Sequence, residues 1–213
     1  MMDLRSYDGL KEAVREYLGR GDLDDKIPLF IQLAELRLNR EVRMRVMERR
    51  ATTEVQAGQT AVPLPWKRKA GDWDVFMEMR DLVWMSNPPV NLTYMPPDLY
   101  AVKSVVRGLP RQYTIIGRDL FLVPAADADG KLILTYYAEI PPLSAEQPDN
   151  EVLITCPDLY LYAALVEAGP YTRGSAPVEM WTQYYSAAKQ KVEEQEQRAR
   201  FTSNVAMAPI RRI

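Results

Sequence analysis

The chain has 213 residues, 47% of them hydrophobic and 26% charged, and a formal net charge of −2. This is ordinary globular composition, at a length that suits one core with a small second lobe, and its charge excludes a whole-molecule field drawing it to nucleic acid or acidic membranes. It has no histidine and one cysteine, which excludes an internal disulfide, Ser–His–Asp and Cys–His catalysis, and nearly every zinc or iron site. With no disulfide to form, it suits a reducing cytoplasm. No apolar run approaches the roughly 20 residues of a membrane helix, and MMDLRSYDGLKE lacks the apolar centre of a signal peptide.

The first predicted helix covers residues 6–19, with Leu10, Val14 and Leu18 every fourth residue and Tyr17 alongside. Ser6 is its N-cap, and Gly19 and Gly21 stop it. A second helix follows a short turn. Asp22, Asp24 and Asp25 lie near its start, Pro28 fits its first turn, and Ile27, Phe30, Ile31, Ala34 and Leu38 form a buried stripe. So short a link predicts an antiparallel helical hairpin.

From about Glu48 the period changes. ATTEVQ and TAVPLP flank Gly58 and read as a strand pair. FMEMRDLVWM, VNLTYM, QYTII, DLFLV and KLILTYY follow as strands, with a short helix over 96–105. Residues 116–119 and 127–130 read as hairpin-like connections. Fourteen of the sixteen prolines fall between Pro63 and Pro177, as many short elements require.

A third helix opens at Thr155-Cys156-Pro157-Asp158, a capping-box-like start, and ends at Gly169-Pro170. Its stripe is Leu159, Tyr162, Ala163 and Val166. A fourth covers 176–200 with the stripe Val178, Trp181, Tyr185, Ala188 and Val192. Beyond Val192 the stripe lands on Gln195 and Ala199, so the last turns outrun their core. FTSNVAMAPIRRI has no periodicity and no acid. The expected fold is α+β: a helical bundle formed by N- and C-terminal helices, with an inserted antiparallel β-rich lobe and an extended C-terminal tail. The divisions are 1–47 (N-terminal helical hairpin), 48–150 (lobe), 151–200 (C-terminal helices) and 201–213 (docking tail).

No catalytic, cofactor or metal site is expected. Asp127 and Asp129 before Gly130 resemble part of a calcium loop whose other ligands are missing, so a turn is the expectation. Cys156 has no imidazole base. No carboxylate pair carries a glycosidase pattern. Arg37, Arg40, Arg43, Arg45, Arg49 and Arg50 stand against Glu41 and Glu48. A nucleic-acid groove would interleave aromatics, and none is present. Arg40, Arg43, Arg45, Arg49 and Arg50 are therefore candidates for a subunit interface, with Glu193, Glu194 and Glu196 as possible partners. A merely solvated face is the alternative. Of the aromatics between Tyr136 and Tyr185, helical spacing assigns about half to the core and leaves the rest for interfaces.

Three stretches carry a family resemblance. IPLFIQLAELRLNREVRMRVMERRATTEV resembles the N-terminal signature of the phage head–tail adaptor (connector) family, including the tail adaptors of short-tailed phages. YTIIGRDLFLVPAADADGKLILTYYAEIPPLS resembles its central hairpins. LITCPDLYLYAALVEAGPY, with a later W-x-x-Y-Y and a final RARF, resembles its C-terminal helices, so the matches span about residues 10–201 in order. One departure is WKRKAGDWD, where a short turn would be expected.

The resemblance implies a structural virion protein and no catalysis. It implies a homo-oligomeric, dodecameric ring in the neck, assembled in the host cytoplasm and docked beneath the portal. The ring would extend the DNA channel, allow non-specific passage of DNA, and present a platform for the tail tube or nozzle protein and for tail fibres or spikes. No cofactor or membrane is involved. Within that reading Phe201, Val205, Met207, Ile210, Arg211, Arg212 and Ile213 are candidate portal-binding residues. The alternatives are a virion-associated cell-wall hydrolase and a neck stopper or tail-completion protein.

Overall fold

The computed structural model describes residues 3–103, 106–172, 174 and 176–201. In chain order it has α1 (Tyr7–Leu18), α2 (Ile27–Glu41), β1 (Glu48–Val55), β2 (Ala61–Pro63), β3 (Trp66–Lys69), β4 (Asp72–Met85), β5 (Val90–Asn91), β6 (Thr93–Tyr94) and α3 (Pro97–Lys103). Then come β7 (Arg107–Gly108), β8 (Gln112–Ile116), β9 (Asp119–Val123), β10 (Ala125–Ala126), β11 (Gly130–Ala138), α4 (Glu151–Thr155), α5 (Pro157–Ala168) and α6 (Val178–Phe201). The mixed helix-and-sheet class is the expected one. Two compact units divide the chain, 1–47 with 140–213, and 48–139.

In the helical unit, Ser6 Oγ accepts the Gly9 N–H at 3.2 Å and opens α1. Gly19, at φ +58°, closes it by donating to Arg15 O at 3.0 Å. Asp22, Asp24 and Asp25 fall in a separate 3-10 turn, Gly21–Lys26, that buries Leu23. The predicted α2 stripe is buried throughout. α1 touches α2, but each packs more extensively on α5. The expected single stripe on α5 is therefore corrected: α5 also meets α4 and α6, so Leu159, Tyr160, Leu161, Ala163, Ala164, Leu165 and Ala168 are all buried. Tyr162 and Val166, assigned to the stripe, lie half-buried at the margin.

The expected cap at Thr155–Cys156 is replaced by two helix starts. Asn150 Oδ1 accepts the Leu153 N–H at 2.9 Å and opens the short α4, whereas Cys156 makes no side-chain cap to α5. In α6 Trp181, Tyr185, Ala188 and Val192 are buried, while Gln195 is exposed. α6 continues through Phe201, the first residue of the expected tail, because no breaker occurs before Pro209. Residues 202–213 lie outside the described residues.

The β unit begins at Glu48 but ends at Glu139. Residues 140–150, expected in the lobe, fall with the helices. Their backbone bonds explain this: Ile140 N–H donates to Asn39 Oδ1 at 2.9 Å and Leu143 N–H to Glu35 Oε1 at 2.7 Å. One sheet has the order β1-β11-β4-β3, with β5 on β4, and all its pairings are antiparallel. The other runs β2-β9-β8-β6. The lobe is not wholly antiparallel, because β6 pairs β8, and β7 pairs β10, in parallel. Val55, Leu82, Trp84, Leu120, Leu122, Leu132 and Leu134 join both sheets in one core.

Two predicted hairpins are corrected. β1 and β2 are not paired; they leave Gly58, at φ +81°, for different sheets. Residues 127–130 likewise cross between sheets, and Gly130 serves close packing: a Cβ there would collide with the Trp84 ring. The 116–119 connection is a hairpin, with Gly117 at φ +65°. WKRKAGDWD is also a hairpin, β3–β4, turning at Gly71 with φ +76°. It is braced by stacked cations, with Arg118 3.8 Å and Arg68 4.7 Å from the Trp66 ring centre.

Candidate functional site

No group of three or more His, Cys, Asp or Glu side chains able to hold a metal occurs among the described residues. Asp129 Oδ1 instead accepts the Ala57 N–H at 2.7 Å, a turn-fixing bond. Cys156 is buried, and burial, reinforced by the charges of Asp158 and Glu196, pushes its thiol up to about 11. It is a poor nucleophile there.

The buried carboxylate is Glu35, which sequence reasoning missed. Desolvation pushes its carboxyl up to about 7, although the Leu143 N–H and the Tyr160 hydroxyl at 3.5 Å pull the other way. Tyr160 Oη also accepts Asn150 Nδ2 at 2.9 Å, and Asn150 Nδ2 reaches Pro141 O at 2.8 Å. This network holds the 140–150 segment to α2 and α5. The available signal was an acid lodged between Ala34 and Leu38 on the core side of α2.

The arginine segment resolves residue by residue. Arg37 donates to Glu167 at 2.6 Å, and its guanidinium lies 5.6 Å from the Tyr185 ring centre. Burial alone would raise the neighbouring Glu41 carboxyl. Bonds from Tyr185 at 2.9 Å and Lys189 at 3.1 Å, with the charges of Lys189 and Arg37, outweigh it and hold Glu41 low. Arg43 caps the C-terminus of α2, donating to Asn39 O and Val42 O, each at 2.8 Å. Arg45 Nε meets Glu196 Oε2 at 3.2 Å within the same chain. Arg49 donates to Glu48 O at 3.1 Å. Arg40 and Arg50 are exposed and make no ion pair among the described residues. The structure thus disperses the five interface candidates, and brings Arg45 together with one of the acids proposed for it. Six of the seven portal-binding candidates lie outside the described residues, and Phe201 ends α6.

Most of these charged groups close on one another, and several large apolar side chains remain exposed on the helices. The chain belongs to the SU10 adaptor protein family, a phage head–tail adaptor family, whose model matches residues 5–212. That family is structural rather than enzymatic, and it implies a place in the virion in association with other virion components. Among curated proteins none matches the chain at a significant level. No helix of the described residues is long and apolar enough to cross a membrane.

Proposed function

We propose that the protein assembles as a head-to-tail dodecameric ring beneath the portal, extends the DNA channel, and provides the platform to which the tail attaches. The observation that carries this reading is the adaptor-family match over residues 5–212. Its partners are further copies of itself, the portal protein, the tail tube or nozzle protein, and tail fibres or spikes. A ring needs two unlike complementary surfaces on each subunit. Of the five interface candidates, Arg40 and Arg50 make no ion pair among the described residues, whereas Arg43, Arg45 and Arg49 bond within the chain. Phe201, Val205, Met207, Ile210, Arg211, Arg212 and Ile213 form the portal anchor of this reading. The test is a phage lacking the protein. Its particles are expected to be portal-bearing heads without tails by electron microscopy, and normally tailed particles would overturn the reading.

A further inference from the structure

Helix α2 is apolar on two faces. Phe30, Ile31, Ala34 and Leu38 are buried in the helical unit. At about 100° per residue, Leu29, Leu33 and Leu36 fall on the opposite side, and Arg40 continues the row. Leu36 is 50% exposed, and Leu33, Leu36, Arg37, Arg40, Glu41 and Glu167 line a groove of about 220 Å³ beside it. Leu29 and Leu36 of this row are exposed and Leu33 is half-buried.

A second apolar patch is aromatic. The rings of Tyr162 on α5 and Tyr184 on α6 lie 5.2 Å apart, and Tyr17 of α1 acts electrostatically on the Tyr162 hydroxyl. Tyr17 is 49% exposed, and Met180 is exposed one turn before Tyr184. Of the nearby carboxylates, the exposed Asp158 acts electrostatically on Tyr162, while the exposed Glu16 and Glu179 adjoin Tyr17 and Met180 along the chain. The two patches face different ways. Glu167 belongs to the groove and Tyr162 to the cluster, and five residues of α5 separate them by about 140° around that helix.

We propose that the leucine row of α2 in one copy packs on the Tyr17–Tyr162–Tyr184 cluster of the next copy, forming the repeating contact of the ring. This rests on the ring reading above and specifies its faces. The occupant is a second copy because one unit carries both halves of a complementary pair. An aliphatic row ending in Arg40, which makes no ion pair among the described residues, meets an aromatic patch beside the Asp158 carboxylate. Unlike faces repeat head to tail and close a ring, whereas leucine against leucine would stop at a dimer.

The experiment uses virions carrying a Leu36→Cys/Tyr184→Cys double variant, treated with a short bis-maleimide and resolved on a denaturing gel. Both positions are exposed, and the native Cys156 is buried. The expected result is a ladder of multimers from the double variant and monomer from either single variant. Dimers from Leu36→Cys alone, a link to a different virion protein, or no link would each overturn the assignment. Copies per particle, counted by quantitative mass spectrometry, separate this from the ring reading. Many copies without a ladder sink the faces alone, and a single copy sinks the ring as well. As a second readout, Leu36→Arg is expected to be excluded from particles while the purified chain melts as wild type; normal incorporation of Leu36→Arg would overturn the assignment.

Discussion

At the scale of single residues, two side chains show how packing fixes behaviour that composition does not. Gly130 starts β11 against the Trp84 ring, so Gly130→Ala forces the indole to move. Overpacking of this kind costs roughly 1–3 kcal/mol. A lower urea midpoint is expected, with partial recovery when Trp84→Leu is added; an unchanged midpoint would show that the sheet yields freely. Glu35 makes stability depend on pH. Its folded carboxyl titrates at about 7, above the ordinary 4.5, so the folded state binds the proton more tightly. That contribution is complete below pH 4.5 and is lost as pH rises through about 7, a loss on the order of 3 kcal/mol. Glu35→Gln keeps an acceptor for the Leu143 N–H and removes the titration. Urea midpoints across this window are expected to fall for the wild type and stay level for the variant. Parallel slopes would place the titrating group elsewhere.

At the scale of elements, the caps differ in how much hangs on them. Ser6 sits at the surface, and its loss costs about 1 kcal/mol as an ordinary N-cap. Asn150 caps α4 and also donates to Pro141 O and Tyr160 Oη from a buried position. Asn150→Ala leaves those acceptors unsatisfied and is expected to cost roughly 1–3 kcal/mol beyond a cap alone. Equal denaturation shifts for Ser6→Ala and Asn150→Ala would mean that the network adds nothing. The contrast also marks what the sequence made legible. α1, α2 and α6 were readable because each has one buried stripe, and the start and stop of α1 also because Ser6 and Gly19 mark them. α5 was not, since burial on several sides erases the period from which a face is read. Strands were found but mispaired at Gly58 and at 127–130, because pairing across a two-sheet core depends on long-range contacts that local turn residues do not encode. At the candidate site, the arginines were visible as a cluster. Their dispersal into a helix cap, a Glu196 pair and two exposed cations depends on where α6 and the chain after α2 are brought together. Glu35 was hidden because one acid in an apolar stripe reads as a surface residue until its partners, 108 and 125 residues away, are known.

At the scale of the whole molecule, an adaptor must spend binding energy on partners, and its C-terminal segment has the composition for that. Val205, Met207, Ile210 and Ile213 follow neither a helical stripe nor a strand alternation, and the segment after α6 contains no acid. Such a stretch gains little by folding on its own chain. Along a groove in a partner, each large apolar side chain buried contributes roughly 1.5–3 kcal/mol, and Arg211 and Arg212 supply charge-assisted bonds to acidic groups. Ordering it costs roughly 1–2 kcal/mol per residue in backbone entropy. On these figures one tail alone does not cover its ordering cost, and in the proposed ring further tails would gain from the high effective concentration created once the first has docked. Deleting residues 202–213 leaves α1 to α6 intact, so the truncated protein is expected to melt as the full chain does. It is expected to lose attachment to portal-bearing heads in a co-sedimentation assay, and the loss should be steeper for assembled rings than for single subunits. Retention of full binding by the truncated protein would move the portal contact onto the helical unit.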